Sequence, residues 1–339
     1  MSVTVQALRD IGMNARGIVQ QSSAFLTNDG LEVYESISIR RSPIKGMIRL
    51  LRWWTHLLPA ILWADVIHWH YGSNFILPLG LDLNLIHYLG KKGVIEFYGS
   101  DIRIPEVAIQ DNPYLEKVLS HPANDYLISF KISRQNQERF ARAGFQCLCN
   151  SPELNAYVQK DLFSSPFLGI RSRLMLKEFE PQYPNREIKN PVIGHAPSNK
   201  RVKGTESVLR TIETLKKQLD FEFRLISGET HAKTLAAMRD CDIYLDQFVI
   251  GDHGVAAVEA MAFGKPVVCY LKPSVSMAQP PDCPIINANQ DNLGDVLGNL
   301  IENPSVLYEI GVKSRQYVEK YHDAHVIARQ LAQIYRNLL

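Results

Sequence analysis

The run from Gly251 to Val268, GDHGVAAVEAMAFGKPVV, places an acidic side chain on a predicted helix between two glycine turns. The helix is expected to begin just after Gly254. The first amides of a helix have no intrahelical acceptor, so those of Gly254 and Val255 could bind a diphosphate. Glu259 lies about one and a half turns further on, within reach of ribose hydroxyls. An ordinary helix with a surface glutamate is the alternative.

A second candidate is the loop Gly194–Gly204, GHAPSNKRVKG, which follows a predicted strand. It gathers Lys200, Arg201 and Lys203 just before a helix that is expected to begin near Thr205. Cations beside a helix N-terminus suit the binding of a diphosphate. A solvated basic loop is the alternative.

Polar residues also follow two predicted strands nearer the N-terminus. One strand ends in His68, His70 and Gly72, and the other ends in the run 98–103, YGSDIR. His70 is a candidate polar contact to a ligand, and a purely structural histidine is the alternative. His68 and His70 would share one face of a strand, but no third ligand stands out, so we predict no metal site.

Strands that alternate with helices must position these residues. Strands are predicted at 33–39, 64–70, 93–98, 146–150, 192–195, 222–226, 242–246 and 266–271. Helices are predicted at 45–63, 75–89, 152–158, 206–219, 232–239, 256–263, 293–302 and 305–339, the last broken near Tyr321. This alternation predicts an α/β fold with parallel sheets covered by helices on both faces.

The N-terminus has two interpretations. Val3–Ile11 fits a helix that stops at Gly12, whereas Val3–Val5 fits a weak strand followed by a helix over Ile18–Leu26. We favour the second, because an α/β domain ordinarily begins with a strand.

Domain boundaries follow from the segment Lys177–Pro191, which is rich in proline and charge and is predicted to be a linker. The expected organisation is an N-terminal domain over 1–176 and a C-terminal nucleotide-binding domain over 192–320. A final helix over 321–339 is expected to pack back on the first domain.

The run around Glu259 resembles the signature of family 4 retaining glycosyltransferases, which have the GT-B fold. The matching residues are Glu259, Ala260, Met261, Ala262, Gly264, Pro266, Val267 and Val268. The resemblance implies that Glu259 binds the nucleotide ribose. The family's sugar-contacting glutamate is replaced by Gly251, so the adjacent Asp252 is the candidate substitute.

Two loops extend the resemblance. Lys203 and Gly204 match a Lys-Gly pair that reaches the diphosphate, with Ser198 in the same loop, while His195 stands where the family has an arginine. Arg201 is therefore the candidate replacement for that arginine. The segment Ser227–His231 resembles a loop beside the nucleotide base, which makes Gly228 and Glu229 binding candidates.

The resemblance implies two facing Rossmann-like domains with an interdomain cleft. It also implies retaining transfer of a sugar from a nucleoside-diphosphate sugar to an acceptor hydroxyl, in polysaccharide or glycolipid assembly. No metal or other cofactor is expected, and Lys203, Arg201, Asp252 and His70 are the catalytic candidates. The alternatives are a catalytically deficient sugar-nucleotide or glycan-binding protein, an epimerase and a phosphorylase. The Asp-x-Asp at 240–242 lies at the wrong end of its predicted strand for a ligand site.

Composition limits the partners. The net charge of +2 gives no reason to expect nucleic acid. Residues 45–63 form a basic, tryptophan-bearing helix that suits an anionic membrane surface, with a core helix as the alternative. We expect a cytoplasmic protein with reduced cysteines, peripheral on the inner membrane face, which acts on a glycan or lipid-linked acceptor.

Overall fold

The computed structural model describes residues 1–20, 30–34, 43–72, 81–119, 127–163, 166–167 and 169–339 of the chain. These residues divide into two compact units. Unit 1 comprises Met1–Ile102, Ile128–Ile170 and Ala324–Leu339, and unit 2 comprises Arg103–Leu127 and Arg171–Asp323.

Helices and strands alternate along the described chain. In order they are α1 (Ser2–Asp10), β1 (Ile18–Gln20), β2 (Glu32–Tyr34), α2 (Pro43–Trp63), β3 (Val66–His70), α3 (Leu81–Tyr88), β4 (Lys92–Phe97), α4 (Pro105–Ala108), α5 (Glu116–Leu119), α6 (Phe130–Arg142), β5 (Gln146–Cys149), α7 (Pro152–Asn155), β6 (Val192–His195), α8 (Thr205–Leu215), β7 (Glu222–Leu225), α9 (His231–Arg239), β8 (Ile243–Leu245), α10 (Val255–Ala262), β9 (Val267–Cys269), α11 (Pro273–Met277), β10 (Ile286–Asn287), α12 (Leu293–Glu302), α13 (Pro304–Tyr321) and α14 (Ala324–Leu338).

Unit 1 contains the parallel strands β3, β4 and β5 in that order, and a separate parallel pair of β1 with β2. The central strand β4 is buried from Gly93 to Phe97, as expected for a parallel strand covered on both faces. Phe140 of α6 packs edge-on against Phe97 and Trp69. The result is an aromatic core under the sheet that ends in His68, His70 and Glu96.

Unit 2 contains a five-stranded parallel sheet in the order β10-β9-β8-β6-β7. Alternate side chains point into two cores: Tyr244, Val267 and Cys269 pack with α10 and α13, and Ile243, Leu245 and Val268 pack with α8 and α12. The chain runs from β6 to β7 and then crosses back to place β8 on the other side of β6. Ligands of open α/β sheets bind where the strand order reverses in this way, at the carboxyl ends of the strands.

The N-terminal interpretation that we favoured is wrong. Residues Ser2–Asp10 form a helix, not a strand, and Ile18–Gln20 is a strand, not the start of a helix. The helix buries Val5, Ala7 and Leu8, and it packs on α14. The helix ends at Asp10. Beyond it, Gly12 has a φ of +85° and the N–H of Met13 donates to the carbonyl of Leu8, which is a common glycine C-terminus.

The other predicted elements agree closely with the structure. Helix α2 covers the predicted 45–63, and the break near Tyr321 separates α13 from α14. Of the strand predicted at 33–39 and the helix predicted at 75–89, residues 35–39 and 75–80 lie outside the described residues. No helix of the described residues is long and apolar enough to cross a bilayer.

Neither unit is a single continuous stretch of the chain. Residues Arg103–Leu127 belong to unit 2, although they precede the last part of unit 1. Asn112 accounts for part of this, since its Nδ2 donates to the carbonyls of Val249 and Ile250 at 2.8 and 2.9 Å. The C-terminal helix α14 belongs to unit 1, where His325 Nε2 lies 2.9 Å from Asp10 Oδ2 of α1.

Candidate functional site

The two segments singled out in unit 2 meet at one buried carboxylate. Lys203, from the loop after β6, forms an ion pair with Asp246, which follows β8. The backbone N–H of Gly254 donates to the other oxygen of Asp246 at 2.6 Å. Since β6 and β8 flank the reversal in strand order, this cluster lies where an α/β sheet is expected to bind its ligand.

Asp246 was not among the residues predicted from the sequence. Its side chain has no exposed surface. Burial opposes ionisation, but the charge of Lys203 and the bonds donated by Lys203 and Gly254 hold the pKa of Asp246 below its ordinary value. A carboxylate is therefore fixed beside the expected diphosphate site. Its position after a central strand was the available signal, but recognising it required the strand order.

The N-terminus of α10 supplies free amides. Gly254 is the N-cap residue, and its own N–H is already bound to Asp246. The first bond inside the helix runs from Ala257 N to Gly254 O at 3.1 Å. The N–H groups of Val255 and Ala256 therefore have no acceptor inside the helix. Val255 is half exposed, so an anion can approach this end of α10 from solvent.

Glu259 contacts the loop that was predicted to border the nucleotide base. Its Oε1 lies 2.9 Å from Nε2 of His231, and its side chain is 10% exposed. The hydrogen bond to Glu259 raises the pKa of His231 above its ordinary value. Gly228 is exposed with a φ of +77°, and Glu229 pairs with Lys233 at 3.2 Å. The base-loop and ribose candidates are thus joined through His231.

The remaining loop candidates, Ser198 and Arg201, are exposed. Asn199 shapes this loop by accepting the N–H of Arg201 at 3.1 Å and the N–H of Lys203 on its carbonyl at 2.9 Å. Gly204 follows with a φ of +72°, and a Cβ there would lie 3.2 Å from Cβ of Phe248. The tight turn explains why a glycine follows Lys203.

His195, where the resemblance leads us to expect an arginine, is buried and does not supply a cation. Its Nδ1 lies 2.9 Å from the carbonyl of Leu245, and its Nε2 lies 2.9 Å from Oγ1 of Thr205. Burial lowers the pKa of His195 to about 4, so the imidazole is neutral at neutral pH. Its Nδ1–H donates to Leu245, and Thr205 donates to its Nε2.

Gly251 and Asp252 occupy a constrained turn. Gly251 has a φ of +84°, and a Cβ on it would lie 2.8 Å from Cβ of Lys272. A glutamate therefore does not fit at this position with this backbone. Asp252 is buried, and its Oδ1 accepts the N–H of its neighbour His253 at 2.8 Å.

The strand ends of unit 1 are held by hydrogen bonds of their own. Asp101 accepts the N–H groups of Gly72, Tyr98 and Gly99 at 2.8 to 3.0 Å, so it orders the turn after β4. His70 Nδ1 lies 2.8 Å from the Tyr98 hydroxyl. In unit 2, Asp242 of the Asp-x-Asp run lies at the amino end of β8, away from the carboxyl ends where ligands bind, and accepts the N–H of Val192 at 2.9 Å.

No protein-family model matches the chain, and no curated protein matches it. Several solved structures, however, are similar to the chain. Sucrose-phosphate synthase from Thermosynechococcus elongatus aligns with a TM-score of 0.67 at 13% identity, over 99% of this chain and 91% of that one. A glycosyltransferase from Rickettsia africae aligns at 0.63 and 12% identity, over 99% and 93%.

Alr3699/HepE from Anabaena, solved with UDP and glucose, aligns at 0.58 and 15% identity, over 91% of this chain and 86% of that one. At these identities the similarity concerns the fold. The chain has the α/β GT-B fold, as predicted from the resemblance around Glu259.

Proposed function

We propose that this protein transfers a sugar from a nucleoside-diphosphate sugar to an acceptor hydroxyl. One observation carries the proposal: Lys203 and the N-terminus of α10 converge where the strand order of the unit 2 sheet reverses. That arrangement offers a positive charge and free amides to a diphosphate, and it places Glu259 further along the same helix.

In the proposed reaction, the bond between the anomeric carbon and the diphosphate oxygen breaks, and the acceptor oxygen bonds to that carbon. The acceptor hydroxyl loses its proton, and the diphosphate leaves with the bonding electron pair. Lys203 and the N–H groups of Val255 and Ala256 would stabilise that negative charge, which is electrostatic catalysis. This role needs no metal at the diphosphate. Arg201 would add a second cation from the exposed loop.

Glu259 would bind the ribose. Its Oε1 accepts from His231, and its second oxygen offers further acceptor sites to the ribose hydroxyls. The UDP bound to Alr3699/HepE supports a uridine nucleotide as the first donor to try. Asp252 would act through the backbone, since its carboxylate holds the N–H of His253 rather than facing solvent.

Calorimetric titration of nucleoside diphosphates and their sugars tests donor binding. Glu259→Gln should weaken the binding of UDP, because a charged acceptor of ribose hydroxyls is worth about 1.5–3 kcal/mol, or roughly 10- to 100-fold in affinity. Glu213→Gln, on the exposed side of α8, is the matched control. Equal affinities for the two variants would remove Glu259 from the site.

Retention is the expected stereochemical course, and an NMR spectrum of the first-formed product would test it. The anomeric proton of the product should show the configuration of the donor. An inverted product would contradict the proposal while leaving transfer itself intact.

A polysaccharide or glycolipid acceptor at a membrane surface is supported by α2. Its exposed side chains include Ile44, Met47, Ile48 and Leu51, which recur at intervals of three and four residues on one face. The sequence of the same helix is basic, with Lys45, Arg49 and Arg52, and a basic helix with an apolar face suits the interface of an anionic bilayer.

The second candidate function is binding of a sugar nucleotide without transfer. It is favoured by Gly251, which replaces the family's sugar-contacting glutamate, and by Asp246, which already engages Lys203. Incubation with each donor and a panel of acceptors separates the two functions. Donor binding with neither transfer nor hydrolysis would support the second, and release of a nucleoside diphosphate would support the first.

A further inference from the structure

Three potential metal ligands lie together at the carboxyl ends of β3 and β4 in unit 1. His68 and His70 project from one face of β3, and Glu96 lies beside His70 in the register of the two strands. Nε2 of His68 lies 3.2 Å from Oε2 of Glu96, and Nδ1 of His70 lies 3.4 Å from the same oxygen.

We propose that His68, His70 and Glu96 bind a divalent transition-metal ion, with Zn²⁺ as the best fit. Two imidazoles and one carboxylate are a ligand set that Zn²⁺ uses with an open fourth position. Bonds of about 2.0–2.1 Å in a tetrahedron put the ligand atoms roughly 3.3 Å apart. The two nitrogen-to-oxygen separations already have this value, and the three ligand atoms lie within 4.8 Å of one another.

The groups behind the ligands orient them for such an ion. The hydroxyl of Tyr335 lies 2.6 Å from Nδ1 of His68, which leaves Nε2 directed at Glu96. Nδ2 of Asn150 donates to Oε1 of Glu96 at 3.3 Å, and Oε2 is the oxygen that lies within 3.4 Å of both histidines. Metal-binding histidines and carboxylates commonly have outer hydrogen bonds of this kind.

Burial and packing fit the same interpretation. Glu96 is 1% exposed, and the two imidazoles are about 10% exposed, so one side of the cluster remains open to a small fourth ligand. The imidazole rings stack with centroids 4.2 Å apart and planes 14° from parallel, so one ring would turn about its side-chain bonds to direct its lone pair at the ion. Tyr98, 2.8 Å from Nδ1 of His70, would exchange that hydrogen bond for contact with the ion or its water.

All of these groups belong to unit 1, and their binding of an ion can be tested apart from the proposed transfer of a sugar. Metal binding is therefore measured directly. The full chain is treated with a chelator, dialysed and titrated with Zn²⁺ by calorimetry, and Co²⁺ serves as a visible-absorbing substitute. We expect one Zn²⁺ per chain and Co²⁺ absorption bands in the visible range that Zn²⁺ abolishes.

Glu96→Gln and His70→Gln should each weaken Zn²⁺ binding by at least about 100-fold, since each removes a direct ligand. Tyr335→Phe removes only an outer hydrogen bond and should weaken it by about 10- to 100-fold. His87→Gln, an exposed histidine on α3, should bind like the wild type. Circular dichroism of each metal-free variant separates loss of the site from loss of the fold.

Two results would overturn the proposal. One is the absence of Zn²⁺ and Co²⁺ binding to the folded wild-type chain. The other is Zn²⁺ binding that survives unchanged in folded Glu96→Gln and His70→Gln, which would place the ion elsewhere, for instance on the cysteines.

Discussion

Lys203 and Asp246 form an ion pair in which the carboxylate has no exposed surface and the lysine side chain is 12% exposed. The same carboxylate accepts the N–H of Gly254. Any diphosphate at this position must therefore share two of its expected donors with Asp246. Lys203 has three N–H donors and can bridge the carboxylate and a phosphate oxygen.

A double-mutant cycle on this pair should show strong coupling. Lys203→Met leaves a buried, uncompensated carboxylate and should cost about 2–4 kcal/mol in the free energy of unfolding, somewhat less than a fully buried pair because the lysine reaches solvent. The double variant Lys203→Met, Asp246→Asn leaves neither charge and should be more stable than Lys203→Met alone. Chemical denaturation at neutral pH measures all four proteins, and additive effects would contradict the coupling.

The pair should also contribute to acid sensitivity. The pKa of Asp246 is lowered from 3.8 in the folded state, so its stabilising contribution is complete above that value. The contribution is lost as the pH falls below 3.8 and through the folded pKa. As the pH falls below 3.8, Asp246→Asn should lose less stability than the wild type in denaturation curves. Parallel pH profiles of the two proteins would contradict the assignment.

Substitution of Lys203 should change the affinity for a nucleotide in a different way from the stability of the fold. Lys203→Met should weaken the binding of UDP by roughly 10- to 100-fold, the effect of losing one charge-assisted hydrogen bond. The Lys203→Met, Asp246→Asn double variant regains stability without regaining the cation, so its affinity should stay low. Lys217→Met, after the end of α8, is the control. Calorimetry on the folded variants decides whether charge or folding governs affinity.

A pair of glycine variants should separate steric overlap from backbone strain. Gly251→Ala places a methyl group 2.8 Å from Cβ of Lys272 at a φ of +84°, whereas Gly228→Ala at +77° meets nothing within 4 Å. The left-handed backbone alone should cost about 1–2 kcal/mol in both. Gly251→Ala should lose a further 1–3 kcal/mol or so from overpacking. Thermal unfolding compares them, and equal losses would show that the loop relaxes.

His195 should make the protein lose stability between pH 6.5 and pH 4. Burial lowers its pKa from 6.5 to about 4, so the unfolded chain binds a proton in this range and the folded chain does not. Above pH 6.5 the histidine is neutral in both states and the stability is at its full value. By about pH 4, the free energy of unfolding should have fallen by about 3 kcal/mol. His195→Gln should flatten that part of the stability profile. His87→Gln, an exposed histidine, should leave it unchanged.

Membrane binding should depend on the exposed face of α2. Leu51, 60% exposed, should enter the bilayer interface if the surface binds membranes. Leu51→Glu removes about 1.5–3 kcal/mol of apolar transfer and should lower recovery with anionic vesicles by roughly tenfold or more in flotation. Ile132→Glu on α6, 48% exposed, is the control. Equal flotation of the two variants would remove α2 from the interface.

Much of unit 2 could be predicted because its signals are local. Strongly apolar strands that end in glycine turns define β6, β8 and β9, and the residues after β6 and β8 converge wherever those strands are neighbours. Lys203 and Gly254 were found because each precedes a predicted helix whose first amides suit a diphosphate. Asp246 was missed, because an acidic residue after a strand can be recognised as part of the site only when the strand order shows that it lies opposite a lysine.

The structure of unit 1 is harder to predict from the sequence, because it depends more on contacts between residues that are distant in the chain. The nine residues of α1 fit a strand or a helix locally, and burial against α14, at the far end of the chain, decides for the helix. The third potential metal ligand, beside His68 and His70, could not be predicted for a similar reason. Glu96 reaches His68 and His70 only through the register of two parallel strands, which the order of residues in the chain does not reveal.

The turn at Gly251 also prevents a single substitution from placing a glutamate at this position. Glutamate at this position requires a different backbone and a smaller or displaced side chain at Lys272, which itself pairs with Asp111 at 3.1 Å. Introducing a glutamate at this position therefore takes more than one substitution and passes through a destabilised intermediate. Substitutions at Lys272 and Asp111 should accordingly come first, because they make room in the turn before the acidic side chain is introduced.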